Sequence, residues 1–143
     1  MLRFEGFEQS SSLVCGCSQK VILPDGDMLI PFSVGDWGRR DRRCVTFLCG
    51  FDGESIYAKK RGEILEHAVG RGLLEPSLCY FEGKFYMTLR AEDERGYFTV
   101  SPDGLNWGPM QAWRWQDGEA LIMSTTQQHW LELGGRLYLV YTR

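Results

Sequence analysis

The sequence predicts an all-β protein built from antiparallel hairpins. Three observations carry this prediction. Apolar and aromatic residues fall in short runs, and Pro-Asp-Gly or Glu-Gly turn signals separate those runs. No segment sustains apolar residues at i, i+3, i+4 and i+7 over three turns, so no long helix is assigned. Aromatics at 13% and 17 glycines suit a strand-rich chain with many tight turns. The length, 143 residues, fits one domain with a substantial core.

The stretch Gly72–Trp107 sets the pattern as two consecutive hairpins. Strands Ser77–Phe81 and Lys84–Leu89 flank a turn at Glu82-Gly83. Strand Tyr97–Val100 and a strand near Trp107 flank Pro102-Asp103-Gly104. Upstream, residues 1–12 are a polar, Ser-rich lead-in. Leu13–Cys17 and Lys20–Leu23 are short strands, and Pro24-Asp25-Gly26 is a turn. Met28–Val34 is a strand that Pro31 places at a sheet edge or bulge. Gly35–Arg43 reads as a polar loop, Cys44–Cys49 and Ser55–Lys59 as strands around Phe51-Asp52-Gly53, and residues 60–72 as a connecting loop.

These elements repeat. Gly26, Gly83 and Gly135 each precede a similar strand (DMLIPFS, KFYMTLR, RLYLVYT), at intervals of 57 and 52 residues. Asp52 and Asp103, each followed by Gly, lie 51 residues apart in the second hairpins. Two hairpins per period of about 50 residues make a four-stranded unit, the size of a propeller blade. The predicted fold is therefore a β-propeller of four-stranded antiparallel blades. The blades would span about 13–60 and 73–116, with a third, incomplete, over 126–143. Since closed propellers have roughly four to eight blades, these two and a half are expected to belong to a longer protein. Otherwise chains would associate through their unpaired blade edges.

Composition excludes several function classes. Net charge is −3 and pI about 5.4. Arg39, Arg40, Arg42 and Arg43 form a basic cluster, but Asp36 and Asp41 interrupt it, so no nucleic-acid surface is expected. The five cysteines (Cys15, Cys17, Cys44, Cys49, Cys79) contain no CxxC pair. Structural zinc is not expected, and Cys44, Cys49 and Cys79 read as small buried hydrophobes. The N-terminus lacks a basic region followed by an apolar run, so no signal peptide, membrane span or membrane partner is expected, and a cytoplasmic setting is.

Ser101-Pro102-Asp103-Gly104-Leu105-Asn106-Trp107 resembles the Asp-box of sialidases and related propellers, with Asn106 where Thr commonly stands and one residue fewer. Its implied role is structural: Ser and Asp side chains bond the turn backbone while Trp packs between strands. Phe51-Asp52-Gly53 resembles a decayed copy. Glu75, then a hairpin, then Arg90 resembles the sialidase pair in which Glu polarises a Tyr nucleophile and Arg grips the substrate carboxylate. A sialoside bears a carboxylate on its anomeric carbon, so a neutral Tyr suits it better than a carboxylate nucleophile. A guanidinium binds that carboxylate through charge-assisted bonds. The plainer alternative is a solvated ion pair at two loop ends.

The resemblance implies a six-bladed propeller when complete, hydrolysing a terminal, acidic glycoside. It assigns the acid/base role to Asp41, with Asp36 second, and a further carboxylate-binding arginine to Arg143. The family's first carboxylate-binding arginine has no counterpart within Val14–Gln19, and its Tyr nucleophile would lie in a later blade. Gln128 and His129, in the stretch TTQQHW that opens the third blade, are candidates for sugar binding, since amides and imidazole bond hydroxyls. Trp37, Trp113 and Trp115 read as inter-blade packing. No metal or organic cofactor is implied, and the expected partner is a carbohydrate. Two other classes fit the same residues. One is a five-bladed glycosidase with Glu75 as general acid opposite a carboxylate. The other is a non-catalytic glycan-binding module.

Overall fold

The computed structural model describes residues 12–15, 17–36, 41–124 and 126–143. Among them there is no helix, and eleven strands form three antiparallel sheets, as the all-β reading expects. The first sheet contains β1 (Ser12–Val14), β2 (Val21–Ile22), β3 (Met28–Gly35), β4 (Arg43–Phe51) and β5 (Ile56–Leu65). Its order is β1-β3-β4-β5, with β2 also on β3. The second is β6 (Leu74–Phe81), β7 (Lys84–Arg90), β8 (Gly96–Ser101) and β9 (Gln111–Ala112), in sequence order. The third is the hairpin β10 (His129–Leu133) and β11 (Arg136–Val140).

Pro31 is inside a strand, not at its edge. It pairs with Thr46 of β4 on one side. On the other side it faces the interval between the Val14↔Ser33 and Val21↔Leu29 pairs, where the inner strand is interrupted. A residue with no N–H to give is tolerated where the ladder is already broken. The interruption splits the inner strand into β1 and β2.

Several boundaries differ from the sequence expectation. The stretch expected to begin a loop at residue 60 continues as β5 to Leu65, bonded to β4 through two register shifts. Its residues alternate between exposed and half-buried, so the apolar signal is diluted. The second sheet's outer strand is β9, not a strand at Trp107. The Trp107 N–H donates to Glu63 Oε2 of β5 (3.0 Å) and Glu63 N–H donates to Leu105 (2.8 Å), so this segment ties the second sheet to the first.

The two Asp-Gly turns share a geometry. Asp103 Oδ1 accepts from the N–H groups of Leu105 (2.9 Å) and Asn106 (2.8 Å); Asp52 Oδ1 accepts from those of Glu54 (2.9 Å) and Ser55 (2.8 Å). Gly53 and Gly104 both have positive φ. Ser101 Oγ accepts from Gly104 N–H (2.8 Å), which adds the feature that the first turn lacks. Desolvation works to raise the Asp103 pKa, but hydrogen bonds from Asn106, Leu105 and Ser101 prevail and hold it at about 2. A carboxylate kept charged by turn N–H groups is a turn-fixing device, as the repeat predicts.

A core packs between the first two sheets. Leu29 and Cys44 of one meet Leu78, Phe85, Met87 and Leu89 of the other, with Leu105 and Trp107 from the turn. The opposite face of the first sheet carries Ile30, Phe32, Val34, Val45, Phe47 and Cys49, with Phe32 edge-on to Phe47 at 5.8 Å. Cys44 and Cys49 are buried as expected, Cys79 half so, and all five cysteines are free. Trp113 stacks on Phe98 (4.3 Å) and meets Trp130 edge-on (5.8 Å), joining the second and third sheets. Trp115 is 52% exposed and packs no such interface; Trp37 lies outside the described residues. No helix among the described residues is long and apolar enough to cross a membrane.

Candidate functional site at the loop rim

Three sheets meet at one rim. Arg42, between β3 and β4, bridges Gly72 just before β6: its N–H donates to Arg71 (2.9 Å) and its carbonyl accepts from Leu73 (2.9 Å). The β7–β8 loop reaches the third sheet through Met123 N–H to Glu94 (3.0 Å), and Ser124 N–H reaches Thr142 beyond β11 (3.0 Å). Register places the start of β6 against the end of β7, since Leu74 pairs with Arg90, and the end of β7 against the start of β8.

Glu75 and Arg90 stand at this rim and meet each other. Arg90 Nη1 donates to Glu75 Oε1 at 2.7 Å, and the side chains are only 14% and 22% exposed for Arg90 and Glu75 respectively. That is not a solvated surface pair. Glu75 occupies a β-bulge between Leu74 and Ser77 with φ +46. A non-glycine residue in the left-handed region costs roughly 1–2 kcal/mol, and it re-aims the side chain away from the regular strand direction. Glu75 Oε2 and Arg90 Nε are buried without hydrogen-bond partners. Cys17 approaches from the first sheet: burial first, and then the Glu75 charge, push its thiol pKa up. Beside this pair Arg71 holds Glu92 through Nε (2.8 Å) and Nη2 (2.6 Å). The Arg71 hydrogen bonds hold the Glu92 carboxyl below its ordinary range.

Asp41 lies on the wall of a groove of about 390 Å³, with Arg42, Arg43, Glu66, His67 and Ala68. Asp41 is exposed and has no hydrogen-bond partner among the described residues. Of the arginine cluster, Arg42 is 9% exposed and bonds Ser12 Oγ (2.8 Å), and Arg43 is 3.8 Å from Glu66. Arg39 and Arg40 lie outside the described residues, and Asp36 is half-buried beyond the end of β3.

The remaining candidates separate. Arg143 is exposed and lines a different groove, with Glu94, Ile122, Met123 and Ser124. His129 opens β10 opposite Val140 and is half-buried. Gln128 is 2% exposed, and its amide is used inside the protein: the carbonyl accepts from Thr88 Oγ1 and the NH2 reaches Leu89 O (3.5 Å). It joins two sheets.

The sequence reading gave no role to His67, Asp93 or Tyr97, yet the fold gathers them. Tyr97 Oη donates to Asp93 Oδ2 at 2.5 Å, His67 Nε2 is 3.6 Å from the same oxygen, and the imidazole lies 4.7 Å from the phenol ring. Burial, then the bond to Asp93 and its charge, push the Tyr97 pKa up to about 12. One signal was present: the β7–β8 loop is the second-sheet counterpart of the Asp41 loop, and it carries Glu92-Asp93-Glu94. No protein-family model matches the chain, and no curated protein matches it.

Proposed function

We propose that the rim belongs to a sialidase-like glycoside hydrolase acting on a terminal acidic glycoside. The observation that carries this reading is the Glu75–Arg90 pair, withdrawn from solvent and aimed by a bulge residue in a strained conformation. Strain at a charged, buried residue is more often kept for function than for stability. Arg90 retains an unused buried Nε, and Glu75 an unused Oε2, so each has capacity for a second partner. A substrate carboxylate would take the guanidinium, freeing Glu75 to polarise a nucleophilic hydroxyl. The neighbouring groove, lined by both Asp41 and His67, would supply the acid/base.

One observation favours the glycan-binding alternative. Glu75 bonds Arg90 and, among the described residues, no tyrosine hydroxyl. Tyr97 is tied to Asp93, Tyr86 packs on Trp130 at 6.1 Å, and Tyr57 and Tyr80 are exposed.

Turnover of a panel of fluorogenic glycosides, sialosides included, separates these readings. Glu75→Gln is expected to lower kcat on a sialoside about 100-fold or more, and Arg90→Ala to act mainly on KM. Cleavage of neutral glycosides alone, with Arg90→Ala harmless, would point to the carboxylate-pair class. Binding without turnover would leave the non-catalytic module.

A further inference from the structure

We propose that His67, not Asp41, is the proton-transferring group of the groove, and that Asp93 and Tyr97 are its positioning residues. The two candidates share one cavity wall but differ in how they are held. Asp41 is exposed on a loop with no partner among the described residues. His67 is held by two elements of the second sheet: the β7–β8 loop supplies Asp93, and the second residue of β8 is Tyr97. A proton donor must keep one orientation through the reaction, and an imidazole backed by a carboxylate does so.

The unused polar atoms point the same way. His67 Nε2 and Asp93 Oδ1 are both buried without hydrogen-bond partners, while Tyr97 fixes Oδ2. Nε2 faces Asp93 at 3.6 Å, just beyond hydrogen-bond length. With Nε2 turned inward, Nδ1 is the nitrogen that can meet a ligand. The groove also presents Asp41, Glu66, Arg42 and Arg43 to that ligand, and the Arg71–Glu92 pair lies at the same rim. Tyr97 pairs with Leu89, next to Arg90, so the relay adjoins the Glu75–Arg90 pair along the strand ends.

The substrate named here, a glycoside, rests on the hydrolase reading; the relay geometry does not. In the reaction, the imidazolium gives its Nδ1 proton to the glycosidic oxygen as the bond from that oxygen to the anomeric carbon breaks. The aglycone leaves as an alcohol. The neutral imidazole then takes a proton from the water whose oxygen ends on the anomeric carbon. The cycle consumes one glycoside and one water and restores the imidazolium.

The test compares His67→Ala, Asp41→Asn and Asp93→Asn on sialosides with alkyl and with nitrophenyl leaving groups. His67→Ala is expected to slow the alkyl substrate about 100-fold or more, to spare the nitrophenyl substrate, and to recover with added imidazole. Asp41→Asn is expected to show no dependence on the leaving group. Asp93→Asn is expected to slow the alkyl substrate with little change in KM. Equal loss on both leaving groups, no rescue, or the leaving-group dependence appearing in Asp41→Asn instead would overturn the proposal while leaving the hydrolase reading intact. If the unmodified protein cleaves nothing, the hydrolase reading fails, and carbethoxylation decides the groove: free sialic acid must slow modification of His67 by diethyl pyrocarbonate, and unchanged modification overturns the role of His67.

Discussion

Replacing Gly72 with Ala is expected to lower stability by more than about 3 kcal/mol, among the largest effects of any single substitution here. Gly72 has φ +88, and a Cβ there would sit 2.1 Å from the Arg42 carbonyl oxygen and 2.9 Å from its nitrogen. Both neighbours are backbone atoms. They cannot swing aside, because Arg42 is bonded to Arg71 and Leu73 on either side of Gly72. The two sheets must part at this bridge or the turn must refold, and either change reaches the groove that Arg42 lines. Gly26 provides the control: its φ is +90 but nothing lies within 4 Å of a Cβ, so Gly26→Ala should cost only the left-handed penalty of roughly 1–2 kcal/mol. Urea unfolding of both variants measures the difference. Equal losses would mean that the Arg42–Gly72 bridge is not formed.

Trp130→Ala is expected to cost about 3–5 kcal/mol and to release the third sheet before the others. Trp130 is 7% exposed, and its indole N–H donates to the Ser77 carbonyl at 3.0 Å. Its ring packs against Trp113 and Tyr86. Its backbone is clasped by Gln19, whose Oε1 accepts from Trp130 N–H (2.6 Å) and whose Nε2 donates to Trp130 O (2.9 Å). Ser77 Oγ donates to the same Gln19 Oε1 (2.8 Å), so one amide from the segment between β1 and β2 joins strands of the other two sheets. Hydrogen exchange should show residues 129–140 losing protection in Trp130→Ala while β3, β4, β6 and β7 keep theirs. Uniform loss of protection would show that the three sheets unfold as one unit.

Much of the fold was legible in the sequence because tight turns have strict chemistry. Glu82-Gly83 and Gly134-Gly135 both place two consecutive residues at positive φ, which marks a two-residue hairpin turn. Asp52 and Asp103 each fix their turn by accepting two backbone N–H bonds, so their spacing reports a structural repeat. The end of β5 was not legible, because an outer strand with one face in water dilutes the apolar pattern. Pro31 marks a local gap in the neighbouring strand and not the outer edge of the sheet, and sequence alone does not separate the two.

The candidate site divides in the same way. Glu75 and Arg90 could be found because they bracket a hairpin and the register puts Leu74 opposite Arg90. That they pair with each other, out of solvent, could not be read from spacing. Residue type marks Gln128 as a sugar ligand but does not show its bonds to Thr88 and Leu89. His67, Asp93 and Tyr97 come from a loop, a second loop and a strand, and only packing brings them together.

The role proposed for Arg90, held by Glu75, is to grip a sugar carboxylate. Calorimetric titration of the protein with free sialic acid and with its methyl ester tests this, because the ester keeps the sugar and removes the negative charge. The acid is expected to bind at least about tenfold more tightly than the ester, a difference of about 1.4 kcal/mol, and Arg90→Ala should erase the preference. Equal binding of acid and ester, or a preference that survives Arg90→Ala, would rule out a carboxylate grip at Arg90.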